Sequence, residues 1–118
     1  MTLVDTSVWI DHLRTGNRAL VSLLHGEQVL THPFVIGELA CGRMRDRQRI
    51  LGLLGTLPGA RVAGHDEVLA FVERHRLFGR GIGWIDAHLL ASARLSHAGL
   101  ITLDRRLSSV AGVMGIPA

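Results

Sequence analysis

The sequence predicts an α/β fold in which helices cover a mainly parallel sheet, and three observations predict it. Two short apolar runs, Leu3-Val4-Asp5 and Leu100-Ile101-Thr102-Leu103-Asp104, read as strands buried on both faces. Each ends in an aspartate and passes at once into a segment of helical spacing. Strand-like and helix-like segments then alternate along the chain, as they do where crossovers link parallel strands.

The first strand, roughly residues 2–5, leads into a helix opening at Thr6-Ser7-Val8-Trp9. Arg18 to Leu24 reads as a second short helix closed by Gly26, and Val29-Leu30-Thr31 as a strand. Pro33 suits the first turn of a helix carrying Phe34, Val35, Glu38, Leu39 and Arg43. Asp46 starts another, with Ile50, Leu51, Leu53 and Leu54 on one side, until Pro58-Gly59 breaks it. Arg61-Val62-Ala63 is a weak third strand. His65-Asp66 caps a helix in which Val68, Leu69, Phe71, Val72 and Leu77 recur at helical spacing.

Gly79, Gly81 and Gly83 form a turn or hinge, because they follow no good strand and miss the nucleotide-loop spacings. A strong helix runs from about Trp84 to His97 and Gly99 ends it; Leu100 to Leu103 is the clearest strand. Arg105 to Met114 is the last helix, and residues 115–118 are too short to assign. With no repeat, linker or low-complexity tract, residues 1–118 read as one domain.

The chain has 47% hydrophobic residues and a mean hydropathy of +0.29, which exclude disorder. No apolar stretch approaches the roughly 20 residues of a membrane span, and no secretory signal opens the chain. The single cysteine, Cys41, permits no intrachain disulfide and fits a reducing cytoplasm; in its apolar helix it reads as a small buried side chain. All 13 basic residues are arginine, against 10 acids, a net charge of +3. The missing lysine removes any lysine nucleophile or Walker-type phosphate ligand. The arginine excess suits a polyanion, since a guanidinium grips phosphate with two parallel donors.

Four acids stand out of place. Asp5 and Asp104 close strands, Glu38 lies on the apolar flank of its helix, and Asp86 falls in a first turn beside Ile85, Leu89 and Leu90. Each has an ordinary explanation alone: helix caps for Asp5 and Asp104, the helix dipole for Asp86, an arginine partner for Glu38. Together they predict one acidic pocket at the carboxyl ends of the strands, where open α/β sheets bind ligands. Unpartnered buried carboxylates are costly, and a hard divalent cation such as magnesium supplies the partner. Such a cation in a basic surround points to phosphodiester chemistry. The seven histidines are scattered, without zinc-helix spacing, and read as surface or packing residues. Trp9 and Trp84 read as core rather than as base-stacking rings.

Four segments occur in order: Leu3-Val4-Asp5-Thr6-Ser7-Val8-Trp9-Ile10, Val35-Ile36-Gly37-Glu38-Leu39, Ile85-Asp86-Ala87-His88-Leu89-Leu90-Ala91-Ser92-Ala93, and Leu100-Ile101-Thr102-Leu103-Asp104. In order and spacing the set resembles the PIN-domain ribonucleases, and among them the VapC toxins of bacterial toxin–antitoxin pairs. The resemblance implies a PIN-like three-layer α/β/α sandwich with a mainly parallel central sheet. It implies that Asp5, Glu38, Asp86 and Asp104 are the catalytic acids and bind magnesium or manganese. Thr6 or Ser7 would orient Asp5 or a metal-bound water, and Thr102 would act alike beside Asp104. The implied reaction is endonucleolytic RNA hydrolysis by metal-activated water. The implied partners are a cognate antitoxin, a second copy in a homodimer, and operator DNA reached only through the antitoxin.

Arg43, Arg45, Arg47, Arg49, Arg80, Arg105 and Arg106 are candidates for RNA contact, although those between 43 and 49 cannot all face one way on a helix. Two other readings compete. A phosphoacceptor signalling domain also gathers aspartates around magnesium, but depends on a lysine absent here. An inactive PIN-fold binding module would not need the four acids intact.

Overall fold

The computed structural model describes residues 1–118. Its sheet has three strands, β1 (Thr2–Val4), β2 (Val29–Leu30) and β3 (Gly99–Ile101), in the order β2-β1-β3. All pairings are parallel: Leu3 lies opposite Leu30 on one side and Leu100 on the other. Successive residues on a strand point to opposite faces, and both Leu3 and Val4 are fully buried. Helices therefore cover both faces of the central strand, which gives the three layers.

Parallel pairing needs crossovers, and the chain supplies seven helices: α1 (Thr6–Thr15), α2 (Arg18–His25), α3 (Pro33–Cys41), α4 (Arg47–Thr56), α5 (His65–His75), α6 (Trp84–Leu95) and α7 (Arg105–Val113). The helix α6 packs on β1 and β3, α7 on β3, and α2 on β2, while α1 joins α2 and α3. Fully buried Leu20, Leu89, Leu90 and Leu107 meet Leu3, Val8 and Val35 in one core. The helix α6 is buried from Ala87 to Ala93, which is why its residues are small or apolar nearly all round.

Several expected boundaries move. Arg61-Val62-Ala63 is not a strand; the chain instead pairs once, through Thr31 and Gly59. The N–H of Thr31 donates to the Pro58 carbonyl (2.9 Å) and the N–H of Ala60 to the Thr31 carbonyl (2.8 Å). Beyond Thr31 the neighbouring chain turns into α3 at Pro33, so residues 61–63 have no ladder to join. Within α4, Leu54 is buried but Leu53 is half-exposed, so the four apolar residues do not share one face. The helix α5 is capped by Gly64 rather than by His65-Asp66, with Glu67 Oε1 accepting the Gly64 N–H at 2.9 Å. The helix α6 stops at Leu95, because His97 is left-handed (φ 50°), and Gly99 opens β3 instead of ending the helix. The strand β3 stops at Ile101, before Thr102 and Leu103. Cys41 is exposed at the end of α3, not buried.

The final residues serve the sheet. Ile116 is buried, and the Pro117 carbonyl accepts the Leu100 N–H at 2.8 Å. A Cβ on Gly99 would lie 2.7 Å from that carbonyl oxygen, so only glycine lets the tail approach.

Candidate active site

Parallel strands carry their carboxyl ends to one edge of the sheet, and α1 and α7 begin there with Asp5 and Asp104 at their N-cap positions. The two aspartates behave differently. Asp104 is an ordinary cap: its Oδ1 accepts the N–H groups of Arg106 (2.9 Å) and Leu107 (3.1 Å). Asp5 makes no cap bond with its side chain. Its Oδ2 instead accepts two hydroxyls, Ser7 Oγ and Thr102 Oγ1, each at 2.7 Å. Asp5 is only 7% exposed, so these bonds hold a buried carboxylate in a set direction.

The same hydroxyls knit the two helix starts together. Ser7 Oγ accepts the Leu103 N–H and Thr102 Oγ1 the Asp104 N–H, both at 3.0 Å. Thr102 therefore serves Asp5 directly and only its backbone neighbour at 104. Thr6 does not touch Asp5; its Oγ1 donates to Glu38 Oε1 at 2.8 Å, joining α1 to α3. Thr6 is buried while Glu38 is largely exposed. Glu38 has no arginine partner, so that simple explanation fails for it.

Asp86 ties the set together. Its Oδ2 accepts the Gly83 N–H at 3.1 Å and fixes the turn that opens α6. Burial pushes its carboxyl above the usual carboxylate range, the Gly83 bond opposes this, and the charges of Asp5, Asp104 and Glu38 push it further up. The charges of the other three out-of-place acids thus converge on Asp86. The chain supplies no cation among them: its ion pair, Arg49 with Asp46 at 4.0 Å, lies on the exposed flank of α4.

The donors are all hard oxygens carrying uncompensated negative charge. No three histidine, cysteine, aspartate or glutamate side chains form a ready-made metal-holding group. Magnesium fits such a setting, since it keeps several waters and takes only one or two carboxylates directly.

A groove of about 700 Å³ with mixed apolar and charged walls runs from Glu38 between α1, α3 and the segment leading into α4. Ile10, Leu13 and Met44 line it, with Arg14, Arg43 and Arg45 at its rim. Of the two tryptophans, Trp9 is buried as expected, but Trp84 is 38% exposed at the first position of α6. Its spacing to His88, one turn on, was visible in the sequence; the exposure was not. Two of the histidines, His32 and His88, are packing residues buried in the fold, and their Nε2 and Nδ1 respectively find no hydrogen-bond partner. His32 caps α3 by accepting the Phe34 N–H at Nδ1 (3.0 Å). Burial, and then the nearby His88, lower its pKa to about 4; burial also lowers that of His88.

A family model described as PIN domain matches residues 2–113. Ribonuclease VapC32 of Mycobacterium tuberculosis, in the CDC 1551 / Oshkosh and the H37Rv strains, is 48% identical over 117 residues, covering 98% of this chain and 94% of the relative. The crystal structure of PAE2754 from Pyrobaculum aerophilum superposes with a TM-score of 0.62 over 92% of this chain and 78% of that one. At 21% identity it supports the fold alone.

Proposed function

The chain belongs to the PIN domain family, and on that premise we propose that it is a divalent-metal-dependent endoribonuclease acting as the toxin of a toxin–antitoxin pair. The carrying observation is the convergence of Asp5, Glu38 and Asp104 on Asp86, with hydroxyl groups fixing Asp5 and Glu38. The 48%-identical relative is named a ribonuclease, which agrees with the reaction class. Residues 1–118 form one PIN-like domain in this reading.

Asp5, Asp86, Glu38 and Asp104 would hold magnesium, or manganese in its place. When bound, the metal lowers the pKa of water and offsets charge building on the phosphate oxygens. The chain's own groups set the geometry. Ser7 and Thr102 hold Asp5 Oδ2, which leaves Oδ1 free of both donors. Thr6 holds Glu38 Oε1, and Gly83 holds Asp86 Oδ2. Asp104 spends Oδ1 on its cap, so it contributes through its other oxygen and through charge. Arginines free of ion pairs bind the RNA backbone around this acidic centre.

The groove beside Glu38 receives the cognate antitoxin: Ile10, Leu13 and Met44 take aliphatic side chains and the arginines take acidic ones. A homodimer, with operator DNA bound through the antitoxin, completes the assembly. No helix is long and apolar enough to cross a membrane.

Structured RNA incubated with the protein and magnesium tests the reading, beside arms containing EDTA or the Asp5→Asn variant. Cleavage in the first arm alone is expected. Equal cleavage in all three would mean a contaminating nuclease and would overturn the assignment.

A further inference from the structure

We propose that Phe34 and Trp84 form a platform on which bases of the RNA stack beside the acidic centre. The inference rests on the ribonuclease reading and names how that site takes hold of its substrate.

Five rings run in a row across the starts of three helices. His32 lies 5.2 Å from Phe34, Phe34 4.6 Å from His88, His88 4.7 Å from Trp84, and Trp84 5.0 Å from His65. His88, only 4% exposed, is wedged between the two larger rings, and fully buried His32 backs Phe34. Phe34 and Trp84 are each 38% exposed. Both are thus held by neighbouring rings while more than a third of each stays accessible, as stacking needs. A ring already held in place loses little side-chain freedom when a base lands on it.

Position connects the platform to the chemistry. Trp84 and Asp86 share the first turn of α6, and the bond from Gly83 to Asp86 Oδ2 fixes that turn. Phe34 stands one turn before Glu38 on α3. Phe34 and Glu38, four positions apart, are therefore neighbours on one face at roughly 5–6 Å. Trp84, two positions before Asp86, shares its helix start but not its face, and joins the site through His88 and Phe34. A chain of phosphates drawn to that centre brings its bases over these rings. Arg43 and Arg45 line the groove beside Glu38 and form no ion pair, so they are free to meet the phosphates of the same RNA.

The test uses the Asp5→Asn protein, which binds without cutting, carrying Trp9→Phe so that Trp84 is the remaining tryptophan. Short single-stranded RNA is expected to quench its fluorescence. Trp84→Leu is expected to weaken RNA binding roughly ten- to hundred-fold while Trp84→Phe retains most of it, with both variants' melting checked. An RNA carrying one abasic nucleotide at the right position should lose the benefit of Trp84. RNA bound by this protein with no quenching and no effect of Trp84→Leu, and cut normally when Trp84→Leu is placed in the protein that keeps Asp5, would overturn the platform and leave the nuclease reading intact. No binding or magnesium-dependent cutting of RNA by the unaltered protein would overturn both. Quenching by a protein partner but not by RNA would mark the rings as a protein interface and also overturn the proposal.

Discussion

The hydroxyl of Thr102 donates to Asp5 Oδ2 at 2.7 Å across 97 positions of sequence. It ties the carboxyl end of the first strand to the loop after the last. A carboxylate that binds metal depends on such outer partners for its direction, and losing one commonly costs ten- to hundred-fold in metal affinity or activity.

Thr102→Val is accordingly expected to lower RNA cleavage by about ten- to hundred-fold and to raise the magnesium requirement, at a stability cost of about 1 kcal/mol. Thr102→Ser, which keeps the hydroxyl, should remain close to the original. Magnesium titrations of cleavage rate check both, and an unaffected Thr102→Val enzyme would show that Ser7 alone suffices to hold Asp5.

Asp86→Asn separates function from stability. The amide oxygen still accepts the Gly83 N–H, while one of four repelling charges disappears. Cleavage should fall by at least about a hundred-fold, yet the metal-free protein should melt no lower and gain on the order of 1 kcal/mol. Magnesium should raise the melting temperature of the original more than that of the variant. Melts with and without magnesium provide the reading.

Acid should destabilise the fold through His32. Its folded pKa of about 4 lies below the unfolded value of about 6.5, so only the unfolded chain takes the proton between them. The contribution is complete above pH 6.5 and is lost as pH falls toward 4, at up to about 1.4 kcal/mol per pH unit. His88, 6.4 Å away and also shifted down, acts in the same direction. His32→Asn retains a capping oxygen and should flatten the decline of urea midpoints between pH 7 and 5. An unchanged slope would remove His32 as the source.

Gly81→Ala should destabilise by about 1–3 kcal/mol. Gly81 is left-handed (φ +77°), and an added Cβ would lie 2.7 Å from Cδ of Arg106. Arg106→Ala in the same chain should recover the crowding part but not the backbone part. Thermal melts of the two singles and the double measure that split.

The fold was legible because its strands are pure apolar runs and its helices carry clear starts. The run before Asp5 is buried on both sides, and Pro33 stands at the first position of its helix. What misled was local composition without a partner: Arg61-Val62-Ala63 has strand-forming residues but no neighbouring strand to pair with. At the candidate site, the four acids were visible as charges in apolar settings. Their hydroxyl partners were only half visible, since which acid Thr6 and Thr102 serve depends on how helices start across the sheet. The ring row was invisible because contact between Phe34 and His88 is made by packing and not by spacing.

The seating of Pro117 on Leu100 has a consequence for handling the protein. The tail acts as a bandage on a bare sheet edge, shielding an N–H that could otherwise recruit a foreign strand. Trimming the last residues, or fusing a bulky tag that pulls them away, would open that edge to self-association. It would also slacken the strand that leads to Thr102.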